Sequence, residues 1–105
     1  MKKNLYTSIQ NSNNGISRII LNDPRTYNSL SQGMLKSVIS AFKVLDKDER
    51  TRVIIIEGSG KGFSAGHNLK EVKSLKGKSN YNKLFDLCSE LMMVITNSNK
   101  PVIAK

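Results

Sequence analysis

Apolar residues fall along this chain in two rhythms, one short and one helical. Runs rich in β-branched residues read as strands: Leu5 to Gln10, Ile16 to Asn22 with Ile19-Ile20-Leu21 at its heart, Arg52 to Glu57, and Pro101 to Ala104. Asn11-Ser-Asn-Asn-Gly15 between the first two is a turn signal, and Asn14-Gly15 is a favoured hairpin dipeptide. Asp23-Pro24-Arg25 opens a loop, because proline lacks a donor and restricts its predecessor. Ser31 is placed to cap a helix running to about Asp46. Met34, Leu35, Val38, Ile39, Phe42 and Leu45 form one face of it at helical period, while Gly33 weakens its first turn. The charged link Asp46 to Arg50 separates this helix from the third strand.

Leu69 to about Leu75 reads as a short helix, and Lys76-Gly77-Lys78-Ser79-Asn80 as a polar link. A second long helix is expected from about Asn80 to Thr96, with Leu84, Leu87, Cys88, Leu91, Met92 and Ile95 as its core-facing stripe. The order ββ–α–β–α–α–β predicts an α/β or α+β fold. With 105 residues the chain is one domain at most.

The stretch after the third strand carries the chemistry. Gly58-Ser59-Gly60-Lys61-Gly62 leads into Phe63-Ser64-Ala65-Gly66-His67-Asn68-Leu69-Lys70-Glu71. A loop feeding a helix start presents unpaired backbone N–H groups. Small residues such as Ser64, Ala65 and Gly66 let a ligand approach that backbone closely. Such a place suits a polarised carbonyl or a phosphate held by main-chain donors. Neither nucleotide pattern fits: the Walker spacing is not met, and G-x-G-x-x-G started at Gly58 would need glycine where Phe63 stands. Taken alone, Gly58 to Gly62 reads as a flexible turn. His67 is the only histidine, and no ligand-spaced Cys, His, Asp or Glu cluster surrounds it, so no metal is expected. Pairing it with Cys88 as a nucleophile is disfavoured, since Cys88 sits on an apolar helix stripe.

These residues resemble a known family. Phe63 to Glu71 is similar to the F-S-A-G-x-D-L-K-E signature of the enoyl-CoA hydratase/isomerase (crotonase) superfamily. Ile19-Ile20-Leu21-Asn22-Asp23-Pro24-Arg25-Thr26-Tyr27-Asn28-Ser29-Leu30-Ser31 resembles its strand followed by L-N-x-P-x-x-x-N-A-L-S. Lys100-Pro101-Val102-Ile103-Ala104 resembles the K-P-V-I-A strand before its second catalytic loop. The three occur in family order. The resemblance implies the N-terminal part of a crotonase-like ββα spiral fold, with residues 1–105 a partial domain ending before the second oxyanion-hole loop.

It further implies an acyl-CoA enzyme in which the main-chain N–H of His67 donates to the thioester oxygen. The second donor and the acid/base residues would lie beyond Lys105, so this chain alone is expected to be inactive. Lys70 matches a lysine that approaches CoA phosphate, and Ala65 a position whose carbonyl faces the adenine ring. Arg25 and Tyr27 fall in the loop lining the CoA groove, and Gly66, Asn68 and Leu69 complete the CoA-binding set. Hydration of a 2-enoyl-CoA in fatty-acid metabolism is the default reaction. No cofactor is expected beyond the coenzyme A of the substrate, and a homotrimer or hexamer is the expected assembly. Asn68 departs from the usual Asp, exchanging an acceptor-only carboxylate for an amide that also donates. That departure motivates an alternative, a non-catalytic member that binds acyl-CoA or a partner subunit.

Charge and cysteine usage adjust this picture slightly. The net charge of +9 suits an anionic ligand such as CoA, and Lys70, Lys73 and Lys76 recur every three residues near the motif. Nucleic acid would suit the charge as well, but no recognition motif or aromatic platform is present, so none is expected as a partner. A single cysteine excludes an internal disulfide and fits a reducing, cytoplasmic location. Met1 to Tyr6 lacks an apolar targeting core, and no apolar run approaches membrane-spanning length.

Overall fold

The computed structural model describes residues 6–60, 62–66 and 77–105. Strands β1 (Thr7–Asn11) and β2 (Ile16–Leu21) form the expected antiparallel hairpin, with Thr7 opposite Leu21 and Asn11 opposite Ser17. Its turn closes through Ser12 N donating to Ile16 O at 3.0 Å. Gly15 takes φ +86, a left-handed conformation that favours glycine, and a Cβ there would meet the Arg52 stem at 2.7 Å. After β2 comes a single 3₁₀ turn, Pro24–Thr26, and then helix α1 (Gln32–Lys47). Ser31 caps α1 as predicted, its Oγ accepting from Met34 N at 3.1 Å.

The chain returns as β3 (Val53–Gly58), parallel to β2 and in register from Ile16–Val53 to Leu21–Gly58. Helix α2 (Lys78–Thr96) packs on α1, and β4 (Val102–Ala104) adds parallel to β3. The result is one mixed sheet in the order β1-β2-β3-β4. Each strand boundary falls within one or two residues of expectation, and α2 begins two residues earlier. The short helix expected from Leu69 to Leu75 lies outside the described residues.

Alternation along the strands builds the core. Ser17, Ile19 and Leu21 of β2 and Ile54 and Ile56 of β3 are buried, while Arg18, Ile20, Ile55 and Glu57 on the opposite face are half-buried. All six predicted face residues of α1 are buried, joined by Ala41 and by Ser37, whose Oγ pairs with Thr7 Oγ1 of β1 at 2.7 Å. Phe42, 1% exposed, is the largest of them, and burying such a side chain is worth roughly 1.5–3 kcal/mol. From α2, Leu84 and Leu91 enter the core, with Leu87, Cys88, Val94 and Ile95 packed at its edge. Met92 does not join them: it is 54% exposed, and Val94 completes the seam in its place. Gly33 also has a use that helix propensity did not reveal. The Tyr6 ring occupies the space where a Cβ would stand, only 2.6 Å away.

Lys100 ties β4 to the end of α1. Its Nζ donates to the carbonyl oxygens of Leu45 and Asp48 at the C-terminal end of the helix, where lysines commonly bond the last carbonyls. Asp46 Oδ1 accepts in return from Asn99 N at 3.1 Å and Ser98 Oγ at 3.3 Å.

Candidate active site

Strands β2 and β3 are adjacent and parallel, so the segments that follow Leu21 and Gly58 leave the same edge of the sheet side by side. The crevice beyond the carboxyl ends of parallel strands is where open α/β sheets place ligands. Both segments are the ones that carry the sequence motifs.

The first segment folds around Asp23. Its carbonyl accepts from Thr26 N at 3.2 Å and from Asn28 N at 2.8 Å, and its carboxylate accepts from Thr26 Oγ1 at 2.7 Å. The chain then makes an unusual corner: Tyr27 (φ 54) and Asn28 (φ 55) are both left-handed without being glycine. Asparagine tolerates this conformation, whereas a tyrosine there stores strain. The corner turns the carbonyls of Tyr27 and Asn28 toward the second segment. Tyr27 O accepts from Ala65 N at 2.8 Å, and Asn28 O accepts from Ser64 Oγ at 2.7 Å. Two residues on, Leu30 N donates to Gly66 O at 2.5 Å.

The Asn28 side chain completes the junction and is fully buried. Nδ2 faces the carbonyl oxygens of Ser59 (2.9 Å), Gly62 (3.2 Å) and Phe63 (3.1 Å), while Oδ1 accepts from Asp23 N at 2.7 Å. Ser59 N adds a bond to Leu21 O at 2.8 Å. The described residues of the 58–62 loop are thus anchored to the first motif, which corrects the expectation of a flexible turn. The cause is a long-range partner, Asn28, that local composition does not reveal.

Of the residues expected to meet CoA, Arg25 and Tyr27 line an open groove of about 380 Å³ together with Pro24, Ser59, Gly60 and Gly62. Tyr27 is 62% exposed. Ala65 is exposed, and Gly66 is half-buried at φ +83; backbone bonds join both to the Tyr27–Leu30 corner. His67, Asn68, Leu69 and Lys70 lie outside the described residues. A larger cavity of about 520 Å³ sits between α1 and α2, near Phe42 and Met93. It is remote from both motifs, and its size alone gives it no chemistry. Sequence reasoning gave Asn28 no role and valued Ser64 only for its small size. Both stood inside the quoted motifs, but nothing local signalled that they bond each other across 36 positions.

Burial pushes the Cys88 thiol up from its ordinary value, the direction that disfavours the thiolate. No group of three metal-ligating side chains occurs among the described residues, and none of their helices is long and apolar enough to cross a membrane.

A profile of the Enoyl-CoA hydratase/isomerase family matches residues 11–105. The chain belongs to this family. Its fold agrees: the crystal structure of an enoyl-CoA hydratase from Mycobacterium smegmatis superposes with a TM-score of 0.89 at 36% identity, covering 94% of this chain and 38% of that one. The human enoyl Coenzyme A hydratase domain-containing protein 3 superposes at 0.87 with 39% identity, again over 94% of this chain and 39% of that one. Among curated sequences, the rat mitochondrial enoyl-CoA hydratase domain-containing protein 3 is 42% identical over 90 residues, 86% of this chain. The probable mitochondrial enoyl-CoA hydratase of Dictyostelium discoideum is 33% identical over 102 residues, 97% of this chain. The chain spans 30% of the rat protein and 36% of the Dictyostelium one. For this member of the enoyl-CoA hydratase/isomerase family, the mixed sheet with its two motif segments is therefore the family's crotonase fold over about a third of the relatives' length.

Proposed function

We propose that these residues form the first half of an acyl-CoA site of the enoyl-CoA hydratase type, with the thioester oxygen held by the main-chain N–H of His67. The carrying observation is the junction of the two motif segments beyond β2 and β3, closed by the Leu30 N bond to Gly66 O. The peptide group is planar and trans, so a carbonyl held at its oxygen also holds the N–H on its far side. On this reading Gly66 O, the last described carbonyl of the segment, is the group through which the corner would hold the proposed donor. In hydration of a 2-enoyl-CoA, water adds to the β-carbon and negative charge develops on the thioester oxygen. A donor aimed at that oxygen before reaction stabilises the enolate without reorganisation.

The groove beside Arg25 and Tyr27 would take the CoA moiety, with Arg25 and Lys70 facing its phosphates and Ala65 its adenine. The net charge of +9 favours such a polyanion. The chain spans only 30% of the rat relative and 36% of the Dictyostelium one, so on this reading turnover is to be measured in a full-length polypeptide that carries these residues. The single cysteine fits a reducing compartment such as the cytoplasm, and the rat and Dictyostelium relatives are named as mitochondrial. A homotrimer or hexamer belongs to the same reading. Exposed Phe85, Met92, Met93 and Ile103 are apolar surface that neighbouring elements or subunits would cover.

Two variants test the backbone role in the full-length polypeptide that carries these residues. His67→Ala keeps the N–H and should hold thioester turnover within about tenfold, near 1.4 kcal/mol. His67→Pro deletes it and should cost about 100-fold or more. CoA affinity and melting temperature control for loop strain. Collapse of turnover in His67→Ala, with binding and stability intact, would assign chemistry to the imidazole instead. Asn68 in place of the family Asp favours a second reading, acyl-CoA or subunit binding without catalysis. Tight acyl-CoA binding with no turnover in the unaltered polypeptide would select it.

A further inference from the structure

Asn28 has no part in the chemistry just described, yet it is the most deeply buried polar side chain among the described residues. We propose that Asn28 is the positioning residue of the thioester site, clamping the described loop backbone at Ser59 and from Gly62 to Gly66 against the first motif. This rests on the oxyanion reading above for its catalytic consequence, though not for the clamp itself.

The orientation of the Asn28 amide is dictated by its surroundings. Three carbonyl oxygens, from Ser59, Gly62 and Phe63, converge on one end, which must therefore be the donating NH₂. The other end receives Asp23 N–H and must be the oxygen. One side chain thus reads both segments. Its own backbone joins in, since Asn28 O accepts from Ser64 Oγ, whose oxygen in turn accepts from Gly66 N at 3.1 Å. The path from Asn28 to Gly66 is continuous through Ser64, and the Leu30 bond holds the far side of the same glycine.

Few side chains meet these demands together. The site requires a left-handed backbone, two N–H donors on one end and an acceptor on the other. Aspartate shares the shape and the tolerance of φ 55, but its ionised carboxylate would face three carbonyl oxygens with no proton to offer. Glycine shares only the backbone freedom. The pair N28D and N28G therefore removes the clamp in two different ways while sparing the corner's conformation.

The test follows amide hydrogen exchange, melting temperature and steady-state turnover of a 2-enoyl-CoA thioester in the full-length polypeptide. Both variants should speed exchange at Ala65 and Gly66 about tenfold or more, while Phe42 and Leu45 in α1 keep their protection. Where the unaltered polypeptide turns over thioester, kcat should fall about 100-fold with KM changed little, as expected for a misplaced catalytic group. Unchanged exchange at Ala65 and Gly66 in both variants would overturn the clamp. So would equal acceleration in α1, which would make Asn28 a general stability residue. Loosened loop amides with undiminished kcat would overturn its catalytic consequence. An unaltered polypeptide that binds no acyl-CoA would refute the thioester reading instead, while the exchange comparison would still decide whether Asn28 holds the loop.

Discussion

Replacing Gly58 with alanine isolates how tightly the two motif segments are packed. Gly58 ends β3 opposite Leu21 and is not among the left-handed residues, so no conformational penalty applies. Space decides the outcome. An added Cβ would lie 2.4 Å from the carbonyl oxygens of Gly62 and Phe63 and 2.7 Å from Phe63 Cα. All three are backbone atoms, so no side chain can rotate away, and the 62–63 segment must move. Overpacking of this kind costs about 1–3 kcal/mol. The same two oxygens are acceptors for Asn28 Nδ2, which is buried without access to water. Losing them adds about 1–3 kcal/mol, for a total of roughly 2–6 kcal/mol. Gly62→Ala is the internal control: nothing stands within 4 Å of its Cβ, and the site is exposed. Its change should stay within about 0.5 kcal/mol. Gly60→Ala falls between them, because Pro24 Cβ at 3.4 Å leaves room but φ +83 costs about 1–2 kcal/mol for an L side chain. Denaturant midpoints of the full-length polypeptide give the ranking 58, then 60, then 62. A Gly58→Ala variant as stable as Gly62→Ala would refute the packing described for this junction.

Three further outcomes follow. Ser29 Oγ is buried with no hydrogen-bond partner among the described residues, so Ser29→Ala should raise stability by about 1 kcal/mol; a loss in the denaturation midpoint would reveal a partner. Asp48 is held below its ordinary pKa, first by the Arg50 backbone N–H and then by Thr51 Oγ1. Its contribution is therefore complete above the unfolded carboxylate value near 3.9 and lost as pH falls through the lower folded value. Melting temperatures below pH 4 should decline less steeply in Asp48→Asn, and parallel acid limbs would contradict this. On the proposed reading, Lys70→Glu should weaken CoA more than dephospho-CoA; equal weakening in calorimetric titrations would move Lys70 away from the 3′-phosphate.

Much of the architecture was legible from local pattern. Period-2 and period-3.6 apolar spacing places β1 to β4, α1 and α2 within a residue or two, because each pattern matches the geometry of its element. Ser31 announced the start of α1, and Asn14-Gly15 announced the hairpin. The motifs around Asn28 and Phe63 to Glu71 pointed to the family without any contact being known. Pattern cannot report what lies across space. Met92 and Val94 are both apolar, and only the crossing of α2 over α1 decides that Val94 packs and Met92 faces out. Gly33 looked like a weakness in a helix until the Tyr6 ring filled its place. The loop after β3 looked flexible because glycine content reports conformational freedom, while the hydrogen bonds that remove it come from Asn28, more than 30 residues earlier. Local propensity is set by neighbours along the chain, but a binding loop is held by partners that only the parallel pairing of β2 and β3 brings within reach.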